Sequence, residues 1–121
     1  MSEKIRPRDV YSAEEVNLRA AAGDVDLEGP EIPEGMVVKI EQFCAIDLTT
    51  ANKTIRLGYK RGGNTFWITR QAPGTGLYGI GLNYPVFLVE GERPVARIES
   101  ATASDECRLI ARGSYLNAGP K

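Results

Sequence analysis

Strict alternation of apolar and polar residues begins at Met36 and constrains the fold of this chain more than any other feature. A period of two residues is typical of a β-strand with one buried face. The segment from Met36 to Leu48 is therefore expected to be a long, half-buried strand. Only Gln42 interrupts its apolar face, which holds Met36, Val38, Ile40, Cys44, Ile46 and Leu48.

Shorter runs with the same alternation follow, separated by turn residues. The chain has 13 glycines and 7 prolines, which favour many turns and hence many short strands. Gly62-Gly63 suits a tight hairpin, since glycine accepts a positive φ. Further strands are expected over 54–60, 65–70, 77–83, 85–90, 95–100 and 106–112. Their spacing predicts a mostly β domain over 34–121, an antiparallel β-sandwich of jelly-roll-like form.

The alternation also predicts which side chains form the core. One residue in two along each strand should face inward, and the two cysteines fall within apolar stretches as buried free thiols. The expected core residues are Val38, Ile40, Ile46, Ile55, Leu57, Phe66, Ile68, Leu88, Ile98 and Leu109.

Residues 1–33 differ from the rest and are expected to form an N-terminal arm. Ser12 and Glu15 have the spacing of a helix capping box, and Gly23 stands where a helix would end. A short helix over 13–22 is therefore predicted. The acidic, proline-containing stretch that follows is interpreted as an extended connector. Such an arm has few large apolar side chains and would be ordered by contact with other chains.

Composition argues against several classes of function. The chain has no histidine, which excludes histidine triads and most catalytic zinc sites. Its net charge of −1 favours neither nucleic acid nor an anionic membrane as partner. No apolar run approaches the roughly 20 residues that span a bilayer. Gly74–Gly79 matches a dinucleotide-binding string, but no helix follows it. We expect no catalytic residue, no cofactor and no metal site.

Exposed aromatic and arm residues are the candidates for a partner interface. Trp67 is expected on the face opposite Phe66 and Ile68, and tryptophan is a frequent interface anchor. The alternative is that Trp67 is packed against other residues of its own chain. A further alternative is stacking of sugar rings on exposed aromatic side chains. The candidates are Arg6, Arg8, Tyr11, Val16 and Leu18 in the arm, with Trp67, Tyr78 and Tyr84 in the β domain.

One arrangement of turns and strands resembles a known family. An entry Ile32-Pro-Glu-Gly35 leads into the long strand, and Tyr84–Pro94 forms a strand and turn that lead to Val95-Ala-Arg-Ile98. A small-residue turn, Ala101–Asp105, and a closing strand, Cys107–Arg112, follow. This pattern resembles the small β-sandwich accessory proteins of tailed bacteriophage virions, such as capsid cement or decoration proteins.

The resemblance implies a structural protein and no enzyme. It implies a capsid cement or decoration protein that stabilises contacts between capsid subunits, made in the host cytoplasm and carried in the virion. Capsid or other virion subunits would be its partners, and it would form a homo-oligomer, with a trimer favoured. The alternatives are a head–tail connector, neck or tail accessory protein, or a carbohydrate-binding host-recognition module.

Overall fold

A computed structural model describes residues 10–117, which form two antiparallel sheets. No helix occurs among these residues, so the expectation of a mostly β chain is confirmed. The nine strands are β1 (Val10–Asn17), β2 (Gly23–Glu28), β3 (Met36–Asp47), β4 (Ile55–Arg61), β5 (Asn64–Gln71), β6 (Gly79–Leu82), β7 (Val86–Val89), β8 (Glu92–Ala101) and β9 (Cys107–Asn117).

The strands divide into a five-stranded and a four-stranded sheet. The first has the order β1-β9-β3-β6, and β7 pairs with β3 beyond the end of β6. The second has the order β2-β8-β4-β5. Apolar side chains from both sheets form one buried cluster, so the two sheets make a β-sandwich-like fold.

The predicted helix over 13–22 is wrong. Residues 10–17 are strand β1, which pairs with β9 so that Ser12 lies opposite Arg112. Alternate side chains of β1 face inward, and Tyr11 and Ala13 are 2% and 3% exposed. Gly23, with φ of 115°, opens strand β2 where the sequence predicts the end of a helix. The apolar area buried by pairing with β9 outweighs the weak local preference for a helix.

Most of the expected core residues are fully buried. Ile46 and Ile68 are only half-buried, however, and Phe66 is 45% exposed. Those that the structure buries are Val38, Ile40, Ile55, Leu57, Leu88, Ile98 and Leu109.

A β-bulge in the long strand explains the error at Ile46. Ile40 pairs with Gly113 and Gln42 pairs with Arg112, so Glu41 is an extra residue on β3. An extra residue moves every later side chain to the opposite face. Beyond the bulge the buried side chains are Phe43, Ala45 and Asp47, whereas Cys44, Ile46 and Leu48 turn outward.

A second irregularity and an edge position explain Ile68 and Phe66. Leu57 pairs with Thr69 while Gly58 pairs with Trp67, which leaves Ile68 as the extra residue on β5. Phe66 stacks on Tyr59 at a centroid distance of 5.2 Å. Because β5 is an edge strand, the far side of the Phe66 ring is open to solvent.

The two cysteines are free thiols on opposite faces of one sheet. Cys44 pairs with Ile110 and Cys107 with Asp47 on the neighbouring strands β3 and β9. Cys107 faces the core and is fully buried, whereas Cys44 is half-buried on the outer face. Burial raises the pKa of both thiols, that of Cys107 to about 12. Their opposite orientation excludes a bridge between them.

Candidate docking surface

The outer face of the four-stranded sheet is covered by ion pairs. Asp26, Arg97, Arg56 and Arg70 form one cross-strand row from β2 to β5. Arg97 donates to both carboxylate oxygens of Asp26, at 2.6 and 3.0 Å. Glu99 accepts from Arg56 at 2.6 Å and from Arg70 at 2.7 Å. The hydrogen bonds from Arg70 and Arg56 lower the pKa of Glu99 to about 2.

Trp67 lies on this charged face and is half-buried. The guanidinium carbons of Arg56 and Arg97 lie 5.6 and 5.3 Å from its ring centroid, within the range of a cation–π interaction. Gly58 separates Trp67 from Val95 in the register, and Val95 is only 3% exposed. The absence of a side chain at Gly58 leaves room for the indole to cover Val95. Trp67 is therefore engaged by its own sheet.

The outer face of the five-stranded sheet has a different character, and we call it the docking surface. Large apolar side chains that are between 41% and 55% exposed lie on its strands: Val10, Val16, Phe87, Val89 and Leu116. Half-buried apolar side chains lie between them: Val37, Cys44, Ile46 and Ile110. Exposed apolar side chains that share one face are typical of interaction sites.

Polar side chains interrupt the docking surface in its middle and at the end where Val16 lies. Arg108 contacts Glu106 at 2.8 Å and Glu14 at 3.4 Å. Arg112 is exposed on the central strand β9. On β6, Gly81 pairs with Cys44 and offers no side chain. An apolar surface with some polar groups is the usual composition of a protein–protein interface.

Two recesses open at the margins of this sheet. The first has a volume of about 300 Å³ and lies where the bulge of β3 faces the break between β6 and β7. Its lining residues are Lys39, Glu41, Leu82, Asn83, Tyr84 and Pro85. The second has a volume of about 340 Å³ and is lined by Val10, Pro33, Met36 and Tyr115. We call this second one the apolar recess.

A pair of buried aspartates joins two loops at one end of the molecule. Asp47 and Asp105 are 0% and 1% exposed. Asp47 accepts from the amides of Thr49 and Thr50, each at 3.0 Å. Asp105 accepts from the Thr50 hydroxyl at 2.7 Å and from the Thr102 amide at 2.9 Å. These bonds connect the loop after β3 to the loop before β9.

Asp47 and Asp105 differ in how readily they lose a proton. Burial, followed by the hydrogen bond with Asp105, raises the pKa of Asp47. Burial opposes ionisation of Asp105 as well, but hydrogen bonds from Asp47, Thr50 and Thr102 together lower its pKa. Two hydrogen-bonded carboxyl groups need a proton on one of them. When the pair holds one proton, that proton is therefore on Asp47, and Asp105 is the carboxylate.

The interface candidates from the sequence are scattered over the molecule. Tyr11, expected to contact a partner, lies in the core. Val16 is 42% exposed on the docking surface, and Leu18 is 64% exposed beyond the end of β1. Tyr78 is 44% exposed in the loop before β6, and Tyr84 is 50% exposed beside the first recess. Arg6 and Arg8 lie outside the described residues.

The sequence prediction missed two exposed apolar residues on one edge of the docking surface. Phe87 and Val89 lie on β7 and are 55% and 41% exposed. A signal for them exists, because the run Val86–Val89 is apolar at every position. An edge strand of an antiparallel sheet with no polar face indicates that both of its faces contact something.

Among residues 10–117, no three or more cysteine, aspartate or glutamate side chains form a group that could hold a metal ion. The same range contains no helix of the length and apolar character that crosses a membrane.

Comparisons with known proteins identify no family for this chain. No protein-family model matches the chain, and no curated protein matches it. Among solved structures, the chain is similar to the core of Drosophila NLP, whose crystal structure was described for pentamer formation and histone binding. The identity is 13%, the match covers 89% of this chain and 98% of that chain, and the TM-score is 0.45.

Proposed function

We propose that this chain is a non-enzymatic structural subunit of a virion that binds neighbouring protein subunits through its docking surface. One observation carries the proposal, namely the contrast between the two outer faces. The four-stranded sheet has its charges paired with one another, whereas the five-stranded sheet exposes apolar side chains. Large apolar side chains that are exposed on one outer face do not stabilise the fold of a two-sheet protein by itself, so they indicate an interaction site.

The proposal includes a jelly-roll fold. If β6 and β7 are counted as one broken strand, the molecule has eight strands in two sheets of four. Consecutive strands mostly alternate between the sheets, as they do in a jelly roll. This fold suits a structural role, because it leaves two broad sheet faces available for packing against neighbours.

Within this class we favour a capsid cement or decoration protein. Such a protein would bind at junctions between capsid subunits and add buried apolar area there. A head–tail connector, neck or tail accessory protein would use the same surface. The carbohydrate-binding alternative loses support, because Arg56 and Arg97 engage the ring of Trp67.

Co-sedimentation with capsids that lack the protein tests this function. The wild-type chain should bind saturably and raise the temperature at which the shell dissociates. Val16→Glu and Leu116→Glu place a charge at the two ends of the docking surface and should each weaken binding at least tenfold. Thr65→Glu adds the same charge to the exposed outer side of the four-stranded sheet and should bind like wild type.

Three results would count against the proposal. Failure of the wild-type chain to bind any capsid, neck or tail preparation would refute the virion role. Equal binding by the two docking-surface variants and the wild type would refute the choice of surface. Glycan binding that Tyr84→Ala abolishes would favour the recognition module instead.

A further inference from the structure

Phe87 projects from one edge of the docking surface. It lies on the edge strand β7 and is 55% exposed, and Val89 lies beside it on the same face. Lys39 is its cross-strand neighbour on β3. Phe87 and Val89 together form a projecting apolar group that nothing in the described chain covers.

The apolar recess lies at the other edge of the same sheet, where two of its lining residues, Met36 and Tyr115, also pack against the core. Val10 belongs to the edge strand β1, and Tyr115, Met36 and Pro33 complete the lining. Its volume of about 340 Å³ lies within the usual range of sites that bury an aromatic group. The molecule thus has a projecting aromatic residue near one edge and an apolar recess near the other.

Phe87 and Val10, one of the residues that line the recess, lie in the same cross-strand row. Val10 pairs with Ser114, Ser114 with Lys39, and Lys39 with Phe87. This row crosses three strand spacings, or about 14 Å. Rows run perpendicular to the strands, so rotation about an axis parallel to the strands leaves their height unchanged. Such a rotation keeps Phe87 of one copy level with Val10 at the recess of the next copy.

We propose that a second copy of this chain binds head to tail, with its Phe87 in the apolar recess, and that repetition of this contact closes a ring. The inference rests on the proposed docking surface and identifies a second copy of the chain as a partner that binds at its edges. A contact between two different patches of one chain forms a ring when the rotation closes.

Charge complementarity supports a second copy over an unrelated partner. Lys39 lies beside Phe87, and the exposed Glu34 follows Pro33 at the recess. Neither has an ion-pair partner within residues 10–117. The head-to-tail contact brings these opposite charges together around the apolar group. One chain therefore carries both halves of a complementary contact.

The mass of the full-length chain in solution, measured by sedimentation velocity, tests the inference. The wild type should sediment as one species of three or more chains. Phe87→Glu and Val10→Glu should each sediment as single chains, and Phe87→Ser should dissociate at concentrations where the wild type does not. Leu77→Glu is the matched control, since Leu77 is 57% exposed in the loop before β6, and it should remain assembled.

Mixing the two charged variants provides the decisive measurement. Phe87→Glu retains an intact recess and Val10→Glu retains an intact Phe87, so one wild-type contact can form between them. The mixture should contain a species of two chains and none larger. A wild-type mass of one or two chains, a monomeric mixture, or dissociation of the Leu77→Glu control overturns the inference.

These outcomes are distinct from failure of the proposed function. A monomeric wild type that still binds capsids would reject the ring and leave the virion role intact. A ring that binds no virion component would do the reverse. Unchanged thermal melting of the Phe87→Glu and Val10→Glu variants confirms that each remains folded.

Discussion

The rings of Tyr11 and Tyr115 meet edge to face, with their centroids 5.5 Å apart and an interplanar angle of 82°. This contact joins the first strand to the last on the inner face of the sheet in which the two strands are neighbours. It turns part of the predicted arm into a part of the core. Residues 10–17 are therefore expected to be necessary for folding, and not only for binding.

Replacement of Tyr11 tests that statement. Tyr11→Ala should lower the free energy of unfolding by about 3–5 kcal/mol, the range for large aromatic residues in a core. Tyr11→Phe should be at least as stable as wild type, because the buried hydroxyl has no hydrogen-bond partner among the described residues. Urea unfolding measures both, with Ser12→Ala, at an exposed position of the same strand, as control. A loss below about 1 kcal/mol for Tyr11→Ala would show that β1 is dispensable.

Gly113 provides a test of the bulge in β3. A Cβ at this position would lie 1.8 Å from the Lys39 carbonyl oxygen and 2.9 Å from the Ile40 Cα. Both obstacles are backbone, so Gly113→Ala should destabilise the fold by about 3 kcal/mol or more. Gly63→Ala is the control, since nothing lies within 4 Å of a Cβ there. Equal midpoints of thermal unfolding for the two variants would contradict the register between β3 and β9.

The aspartate pair predicts opposite effects for two similar substitutions. Asp47→Asn keeps an acceptor for the threonine amides and supplies a donor to Asp105, so stability at neutral pH should be equal to wild type or higher. Asp105→Asn replaces the carboxylate that accepts from Thr50 and Thr102. It should cost about 1–3 kcal/mol. Chemical unfolding at pH 7 measures both, and a loss for Asp47→Asn as large as that for Asp105→Asn would refute the assignment of the proton to Asp47.

The pH dependence of Asp47→Asn follows from the same pair. The folded chain keeps the Asp47 proton at pH values where the unfolded chain has lost it, because the folded pKa is raised above 3.8. This group therefore makes the wild type less stable as the pH rises above 3.8 through the folded pKa. The advantage of Asp47→Asn over wild type should grow as the pH rises above 3.8 and become constant above the folded pKa of Asp47. An advantage that does not change with pH would contradict the assignment.

Glu99 should have the opposite effect to Asp47 on the pH dependence of stability. Its pKa is lowered from 4.5 to about 2 in the folded chain, so its stabilising effect is present above 4.5 and is lost as the pH falls toward 2. Glu99→Gln should lower stability at pH 7 and flatten the loss of stability between about pH 4.5 and pH 2. Glu34→Gln, at an exposed position, is the control. Identical acid unfolding of Glu99→Gln and wild type would show that Glu99 does not contribute to the loss of stability in acid.

The alternation of residues was sufficient to predict the strands from Met36 onward and most of the core. It could do so because side chains on successive residues of a strand point to opposite faces whatever the strand pairs with. The buried positions of Val38, Ile55 and Leu109, for example, follow from this local rule. The division into two sheets also follows in outline from the many short strands separated by turns.

Only the tertiary structure decided the features that depend on distant partners. Residues 12–17 have the local signals of a helix, yet Ser12 pairs with Arg112 on β9. The free energy gained by burying apolar area in that pairing is larger than the free energy of the local helix preference. The bulge at Glu41 exchanges the faces of β3, and it lies beside the close approach of Gly113 to Lys39 on the neighbouring strand. The contrast between a charged and an apolar outer face is set by which strands become neighbours. No single strand encodes that choice, because each contributes only one column of side chains to a face.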